Sequence, residues 1–273
     1  MLARPVARRA ARAYKSRMTR WRLTIEYDGG PFVGWQRQDN GPSVQAALED
    51  AVLTFCGEQI TAHAAGRTDA GVHASGQVCH IDIARATTAS TVRNALNAHL
   101  RPAPVAVLEA RAVGEDFHAR FSAIGRAYRY RILTRKAPPV LARGFVWWQA
   151  GEFDVAAMCA GAAHLVGHHD FTSFRATLCQ ARSPEKTLDR LDVTTDGDEI
   201  HIVAEARSFL HHQVRNMAGT LALVGRGRWS PDDVARALAA RNRAAGGPTA
   251  PPEGLCLERV DYGDTFGVTP AAP

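Results

Sequence analysis

The stretch from Ala64 to Gln77 gathers the residues best suited to chemistry. Asp69 supplies a carboxylate and Arg67, two residues earlier, a guanidinium. Gly66 and Gly71 flank the pair and Gly76 follows. Glycine at this density permits positive φ and close approach of backbone to a ligand, and it disfavours a helix or long strand, so the stretch reads as a loop. Arg67 is placed to favour the ionised form of Asp69 and to orient it. A carboxylate so held acts without a cofactor as acid, base or nucleophile. In an arbitrary chain the same residues are better explained by an Asx-turn beside a surface arginine.

Other chemistries find less support. The eleven histidines include two doublets, His168-His169 and His211-His212. Neither a helical His-x-x-x-His nor His-Glu-x-x-His is present, and adjacent histidines on a helix point apart, so each doublet would offer an ion one ligand. No Gly-x-Ser-x-Gly, P-loop or dinucleotide fingerprint occurs. The five cysteines, Cys56, Cys79, Cys159, Cys179 and Cys256, are widely spaced and form no Cys-x-x-Cys. Cys79 and Cys159 lie in apolar patterns and are expected to be buried thiols. This usage suits a reducing cytoplasm.

The chain has 273 residues, 46% of them hydrophobic and 22% charged, ample for a core. No apolar run reaches the ~18 residues of a membrane span. The formal charge of +6 comes from one end. Arg4, Arg8, Arg9, Arg12, Lys15, Arg17 and Arg20 fall in the first twenty residues with no acid among them. Without them the chain carries one more acid than bases, so a nucleic-acid partner would need its positive charge on one face. Residues 1–20 read as a basic leader dispensable for folding. A transit peptide, a phosphate-seeking arm and a mischosen start are the readings open for it.

The loop must be carried by regular elements. Trp21 to Tyr27 alternates as a first strand. Ser43 caps a helix from Val44 to Phe55. Val78 to Ile83 alternates after the loop, a second helix starts at Ser90 or Thr91, and Val105 to Val113 is a strand, giving β-α-β-α-β over residues 21–122. Asp116 to Ala123 is a linker whose Phe117 and Phe121 are expected in the core, with Arg120 available to phosphate. Residues 123–263 form a second half. Its first strand puts Tyr128, Tyr130 and Ile132 on one face and Arg129 and Arg131 on the other, which suits either a base-stacking surface or a core tyrosine pair beside solvated arginines. A helix from Val155 to Val166, a loop from Leu165 to Phe174, and strands Leu188 to Thr194 and Glu199 to Ala206 joined across Asp-Gly follow. A helix beginning at Ser208, another opened by Ser230-Pro231, and a closing strand from Gly254 to Val260 complete it. Residues 264–273 read as tail.

Gly66-Arg67-Thr68-Asp69-Ala70-Gly71-Val72-His73 resembles the signature loop of the TruA family of tRNA pseudouridine synthases. The likeness runs from Leu23 to Tyr262. It includes Glu26-Tyr27-Asp28-Gly29, Gly34-Trp35-Gln36-Arg37-Gln38, the Phe117 run, Tyr128-Arg129-Tyr130, Asp170-Phe171-Thr172-Ser173-Phe174, His211-His212 with Val214-Arg215-Asn216, and Glu253-Gly254-Leu255. It implies an α+β fold of two sheet-and-helix halves, ferredoxin- or RRM-like, joined into a largely antiparallel sheet around a central cleft, in a homodimer. The implied reaction turns uridine into pseudouridine at positions 38 to 40 of the tRNA anticodon stem-loop, with neither metal nor cofactor. By the same likeness Asp69 is catalytic and Arg67 enters the space left by the flipped base. Tyr128 stacks on the uracil, Arg215 pairs with the carboxylate and Leu255 packs beneath the base. Gln213, where the family favours a hydrophobic residue, and the near-neutral body depart from the pattern. A non-catalytic RNA-binding module of the same fold, and a metal-dependent hydrolase using the histidine doublets, are the competing readings.

Overall fold

The computed structural model describes residues 18–264, so residues 1–17 of the expected leader and residues 265–273 of the expected tail lie outside the described residues. The elements in chain order are β1 (Thr19–Tyr27), α1 (Val44–Cys56), β2 (His63–Ala64), β3 (His73–Ile83), α2 (Ala89–Leu100), β4 (Val105–Val113), β5 (Ala123–Leu133), β6 (Trp147–Trp148), α3 (Val155–Ala163), β7 (Gly167–Asp170), β8 (Glu185–Leu188), β9 (Arg190–Asp196), β10 (Glu199–Ala206), α4 (Gln213–Gly225), α5 (Pro231–Ala239) and β11 (Leu255–Tyr262). β1 opens at Thr19, two residues before the expected Trp21. Arg20 joins it because its guanidinium reaches both oxygens of Asp82 on β3, at 2.8 and 2.7 Å.

Local signals explain several boundaries. Ser43 Oγ accepts from Ala46 N at 3.2 Å and starts α1, and Gly57, at φ 76°, stops it. Ser230 and Asp233 form a capping box on α5, with Pro231 at the first helical position. Trp21, Leu23, Ile25 and Tyr27 are all buried along β1, as their alternation requires.

One sheet runs in the order β4-β1-β3-β11-β5-β10-β9, with β2 on β3 and β6 on β5, and β7 and β8 pair separately. Neighbours are antiparallel except β3–β11 and β5–β6. The fold is therefore α+β with a large, mostly antiparallel sheet. Two apolar cores lie in it. The first is built from β1, α1, β3, α2 and β4, the second from β5, α3, β9, β10, α4 and α5. β11, the last strand, pairs parallel with β3 and antiparallel with β5, and its Leu257, Val260 and Tyr262 complete the first core. Residues 73–77 belong to β3 rather than to a loop. Gly76 serves that strand: a Cβ there would sit 2.1 Å from the Glu258 carbonyl oxygen of β11.

Several expectations differ from the structure. Phe117 is fully buried, but Phe121 is 72% exposed. Cys79 is buried, whereas Cys159 is exposed, with its Sγ 3.3 Å from Val193 O of β9. α4 begins at Gln213, not Ser208, because Gln213 Oε1 accepts from Leu210 N at 2.8 Å and His212 takes a left-handed φ of 62°. The stretch expected as a loop after α3 carries β7, and the two-residue β2 and β6 are too short for any periodicity to reveal.

His80 on β3 is buried, and its Nδ1 accepts from Ala119 N at 3.1 Å. Burial, helped by the Arg20 guanidinium, pushes it down from 6.5 to about 4. Between those values the unfolded chain holds a proton that the folded chain does not. The stability from neutral His80 is thus complete above about pH 6.5 and is lost as pH falls toward about 4. Urea midpoints should fall through this window. His118, also pushed down by burial, adds to the fall, so His80→Gln is expected to flatten it in part. An unchanged slope in that variant would clear His80 of the effect.

Candidate active site

The loop carrying Asp69 is fastened to the first core from below. Thr68 is buried, and its Oγ1 lies 2.8 Å from the Tyr27 hydroxyl. Gln77 Nε2 donates to Gly66 O at 2.8 Å and Trp35 N to Thr68 O at 3.1 Å. Two glycines allow the fit. Gly34, at φ 112°, would place a Cβ 2.8 Å from Thr68 O, and Gly71, at φ 76°, would place one 2.9 Å from Pro252 Cγ. His73, the last residue of the signature, is no part of the site. Its Nδ1 accepts from Gly29 N at 3.0 Å, and Nε2, carrying the proton, donates to Gly144 O at 2.8 Å.

With Thr68 pinned inward, the Asp69 side chain turns toward the start of α4. Arg215, in the first turn of that helix, donates from Nη1 to Asp69 Oδ2 at 3.3 Å and from Nε to Ala250 O at 2.8 Å. His211 Nε2 lies 3.3 Å from Oδ1 and His212 Nε2 3.4 Å from Oδ2. The partial positive charge of a helix N-terminus favours a carboxylate there. Burial holds His212 below the usual imidazole range, against the pull of Asp69 and with help from His211 and Arg215. The Asp69 side chain keeps about a fifth of its surface, 21%, open to solvent.

Arg67 is exposed and makes no ion pair among the described residues. The expected Arg67–Asp69 partnership is thus replaced by Arg215, 146 positions along the chain. Tyr128 on β5 is half-buried, touches both cores, and meets Phe209 edge-on at 5.3 Å. Burial, with Tyr27 and Asp69 adding, pushes its phenol well up, so it stays neutral. Tyr130 is fully buried and donates to Pro251 O at 2.8 Å, the core role open to it. Arg129 and Arg131 face the other side of the sheet, where they pair with Glu258 at 2.9 Å and Glu199 at 2.7 Å. β5 therefore presents no mixed aromatic and basic surface. Leu255 is buried opposite Tyr130, on the face shared with Tyr128. It also lines a cavity of about 560 Å³ with Tyr27, His73 and Phe145, which Asp69 does not line.

The profile of the family described as tRNA pseudouridine synthase matches residues 23–122 and 162–263. The protein called tRNA pseudouridine synthase A of Paramagnetospirillum magneticum is 63% identical over 92% of this chain and 98% of its own. Its namesakes in Rhodospirillum centenum and Rhodospirillum rubrum are 64% and 61% identical over 90% of this chain, covering 100% and 88% of theirs. The chain belongs to the tRNA pseudouridine synthase family.

The family likeness singled out Asp69, Arg67, Tyr128, Arg215 and Leu255. The structure joins Arg215 directly to Asp69 and sets Tyr128 within reach of its charge. No sequence signal marks His211 and His212 as contacts of Asp69, because a helical pair would point its rings apart, but the pair is not helical. It precedes the helix, and the left-handed turn at His212 brings both rings to the carboxylate, with centroids 4.0 Å apart. The ligand atoms of Asp69, His211 and His212 lie within 4.8 Å of one another, a donor set of the kind that takes a metal ion. Against a cation there stands the Arg215 guanidinium on the same carboxylate. Replacing Arg215 by Lys keeps the charge but loses the two-point hold on Ala250 O and Asp69. Single-turnover rates are expected to fall about 10- to 100-fold, a barrier increase of about 1.4 to 2.7 kcal/mol, with the RNA dissociation constant little changed. A variant that reacted at the parent rate would leave the contact without a catalytic part.

Proposed function

We propose that this chain isomerises uridine to pseudouridine at positions 38 to 40 of the tRNA anticodon stem-loop, with Asp69 as the catalytic residue and no metal or cofactor. In the reaction the C1′–N1 bond breaks, the uracil turns, a C1′–C5 bond forms, C5 loses a proton and N1 gains one. Asp69 enters by attacking C1′, by attacking C6, or by taking a proton. The reading rests above all on one observation: an open carboxylate on the signature loop, oriented by Arg215 and flanked by two imidazoles.

The other residues suit the demands of that chemistry. A base inside a stem must leave its stack, at about a few kcal/mol. Arg67, exposed and without an ion pair among the described residues, is free to fill the gap. Tyr128, neutral and beside the loop, would cover the ring. Leu255 would support the base from the same face of the sheet. The homodimer and the cytoplasm follow from the resemblance and the cysteine usage. No helix of the described residues is long and apolar enough to cross a membrane. Val140 and Leu141, 78% and 99% exposed on the loop before β6, offer apolar surface for a second copy.

The decisive measurement is tritium release from tRNA labelled at uracil C5. Chelator-treated protein should release label and Asp69→Asn should release none while still binding tRNA. No release by the unaltered protein from any anticodon-arm uridine would sink the reading. Release that needed added zinc or manganese would favour a metal role for Asp69, His211 and His212 instead.

A further inference from the structure

Phe121 is the most exposed aromatic side chain among the described residues. It is 72% exposed, although Phe117 four residues earlier is fully buried in the same turn. The turn is not loose. His118 Nδ1 accepts from Arg120 N at 3.1 Å and from Phe121 N at 3.4 Å. Ser122 Oγ accepts from His118 N, and Ser122 N donates to His118 O, both at 2.9 Å. The His118 ring backs Phe121 at 4.4 Å and in turn meets buried His80 at 4.7 Å. Phe121 is thus a braced ring with an open side. The Arg120 guanidinium lies 5.7 Å from its centroid.

Arg126 ties this turn to the catalytic loop. It is buried, and its Nη2 donates to Ala65 O at 2.8 Å and to Arg120 O at 2.9 Å, while Nη1 donates to Arg207 O. The Phe121 turn therefore lies two hydrogen bonds from the loop that holds Asp69. Arg67, Arg120 and Arg207 are all exposed there, and none has a carboxylate partner among the described residues. The acids of the same segment, Glu115 and Asp116, act on Arg20 at the far end of the turn.

We propose that Phe121 and Arg120 form a second nucleotide-binding shelf. An unpaired base of the RNA other than the target uracil stacks on Phe121, and the guanidinium of Arg120 takes its phosphodiester. A rigid exposed ring gives sequence-tolerant stacking, and an uncompensated guanidinium beside it complements the backbone anion. The inference rests on the RNA-substrate reading above, but not on Asp69 chemistry.

The test measures anisotropy of a fluorescent anticodon stem-loop against Phe121→Ala, Phe121→Leu, Phe121→Trp and Arg120→Gln, with the oligomeric state of each followed by sedimentation. Phe121→Ala and Phe121→Leu should weaken binding about 5- to 100-fold, and Phe121→Trp should restore it. Arg120→Gln should reduce the dependence of binding on salt by about one phosphate contact. The leucine variant keeps apolar volume, so loss there cannot be put down to misfolding of an emptied site. Parent-like binding by Phe121→Leu would overturn the shelf. So would a shift of that variant from dimer to monomer, which would mean that a second copy of the chain covers the ring. Should tritium release fail while binding still depends on Phe121, the shelf stands and the catalytic reading falls.

Discussion

The 3.3 Å contact between Arg215 and Asp69 joins side chains carried by segments that pack in different cores. Asp69 sits on a loop pinned to the first core through Thr68, Tyr27 and Gln77. Arg215 and the two histidines come from the start of α4, which packs in the second. Neither half alone contains the site, so the site exists only while the halves keep their register. β11 is the device that keeps it. It pairs Cys256 with His73 at the exit of the catalytic loop and Leu257 with Tyr128 on the other side. A slip of one residue would turn every side chain of β11 to the wrong face. The seam is also tight. At Gly76 a Cβ would strike the Glu258 carbonyl, and at Gly254 one would lie 2.6 Å from Tyr130 Cζ. The glycines that first suggest a loop near a ligand are divided between two tasks, turning the loop and letting strands close on it.

What was readable in the residues was local. The capped starts of α1 and α5, the alternation of β1 and the break at Gly57 depend on neighbours within a few positions, and each lies where its pattern puts it. The likeness of one eight-residue run pointed to Asp69, and that of Tyr128-Arg129-Tyr130 to the strand beside it. The likeness around Val214-Arg215-Asn216 pointed to Arg215 as the partner of the carboxylate, 146 positions along the chain, which no pattern within a few residues could supply. Nearness in sequence alone points instead to Arg67, which makes no ion pair among the described residues. The histidine doublet is illegible for a related reason. Whether two adjacent side chains converge depends on one φ angle, and nothing in the letters marks His212 as left-handed. Phe117 and Phe121 show the same limit: in a turn no period says which ring goes inward.

The charge distribution resolves the tension between a nearly neutral body and a nucleic-acid partner. On the side of the sheet away from Tyr128, arginines meet acids: Arg129 with Glu258, Arg131 with Glu199, Arg190 with Asp192 and Glu205, Arg259 with Asp261. These pairs cancel locally. Arg67, Arg120 and Arg207 are left uncancelled around the catalytic loop. A positive region beside the catalytic loop thus arises from where pairing is withheld rather than from an excess of bases, and it would attract a polyanion.

Arg126 carries this logic into the interior. The residue is 8% exposed, and its guanidinium is satisfied by backbone carbonyls instead of a carboxylate. Burying a cation without a counter-ion is costly, and carbonyl dipoles offset only part of the loss. A buried Asp or Glu would have supplied a counter-ion, at the further cost of desolvating a second charge. It would also have cancelled the charge beside Ala65, close to the loop that must face a polyanion. Carbonyls satisfy the hydrogen-bonding geometry, fix the Ala65, Arg120 and Arg207 backbones against one another, and leave a full positive charge in place. The arrangement keeps that charge behind the exposed Arg67, Arg120 and Arg207 and holds the backbone beneath them in place.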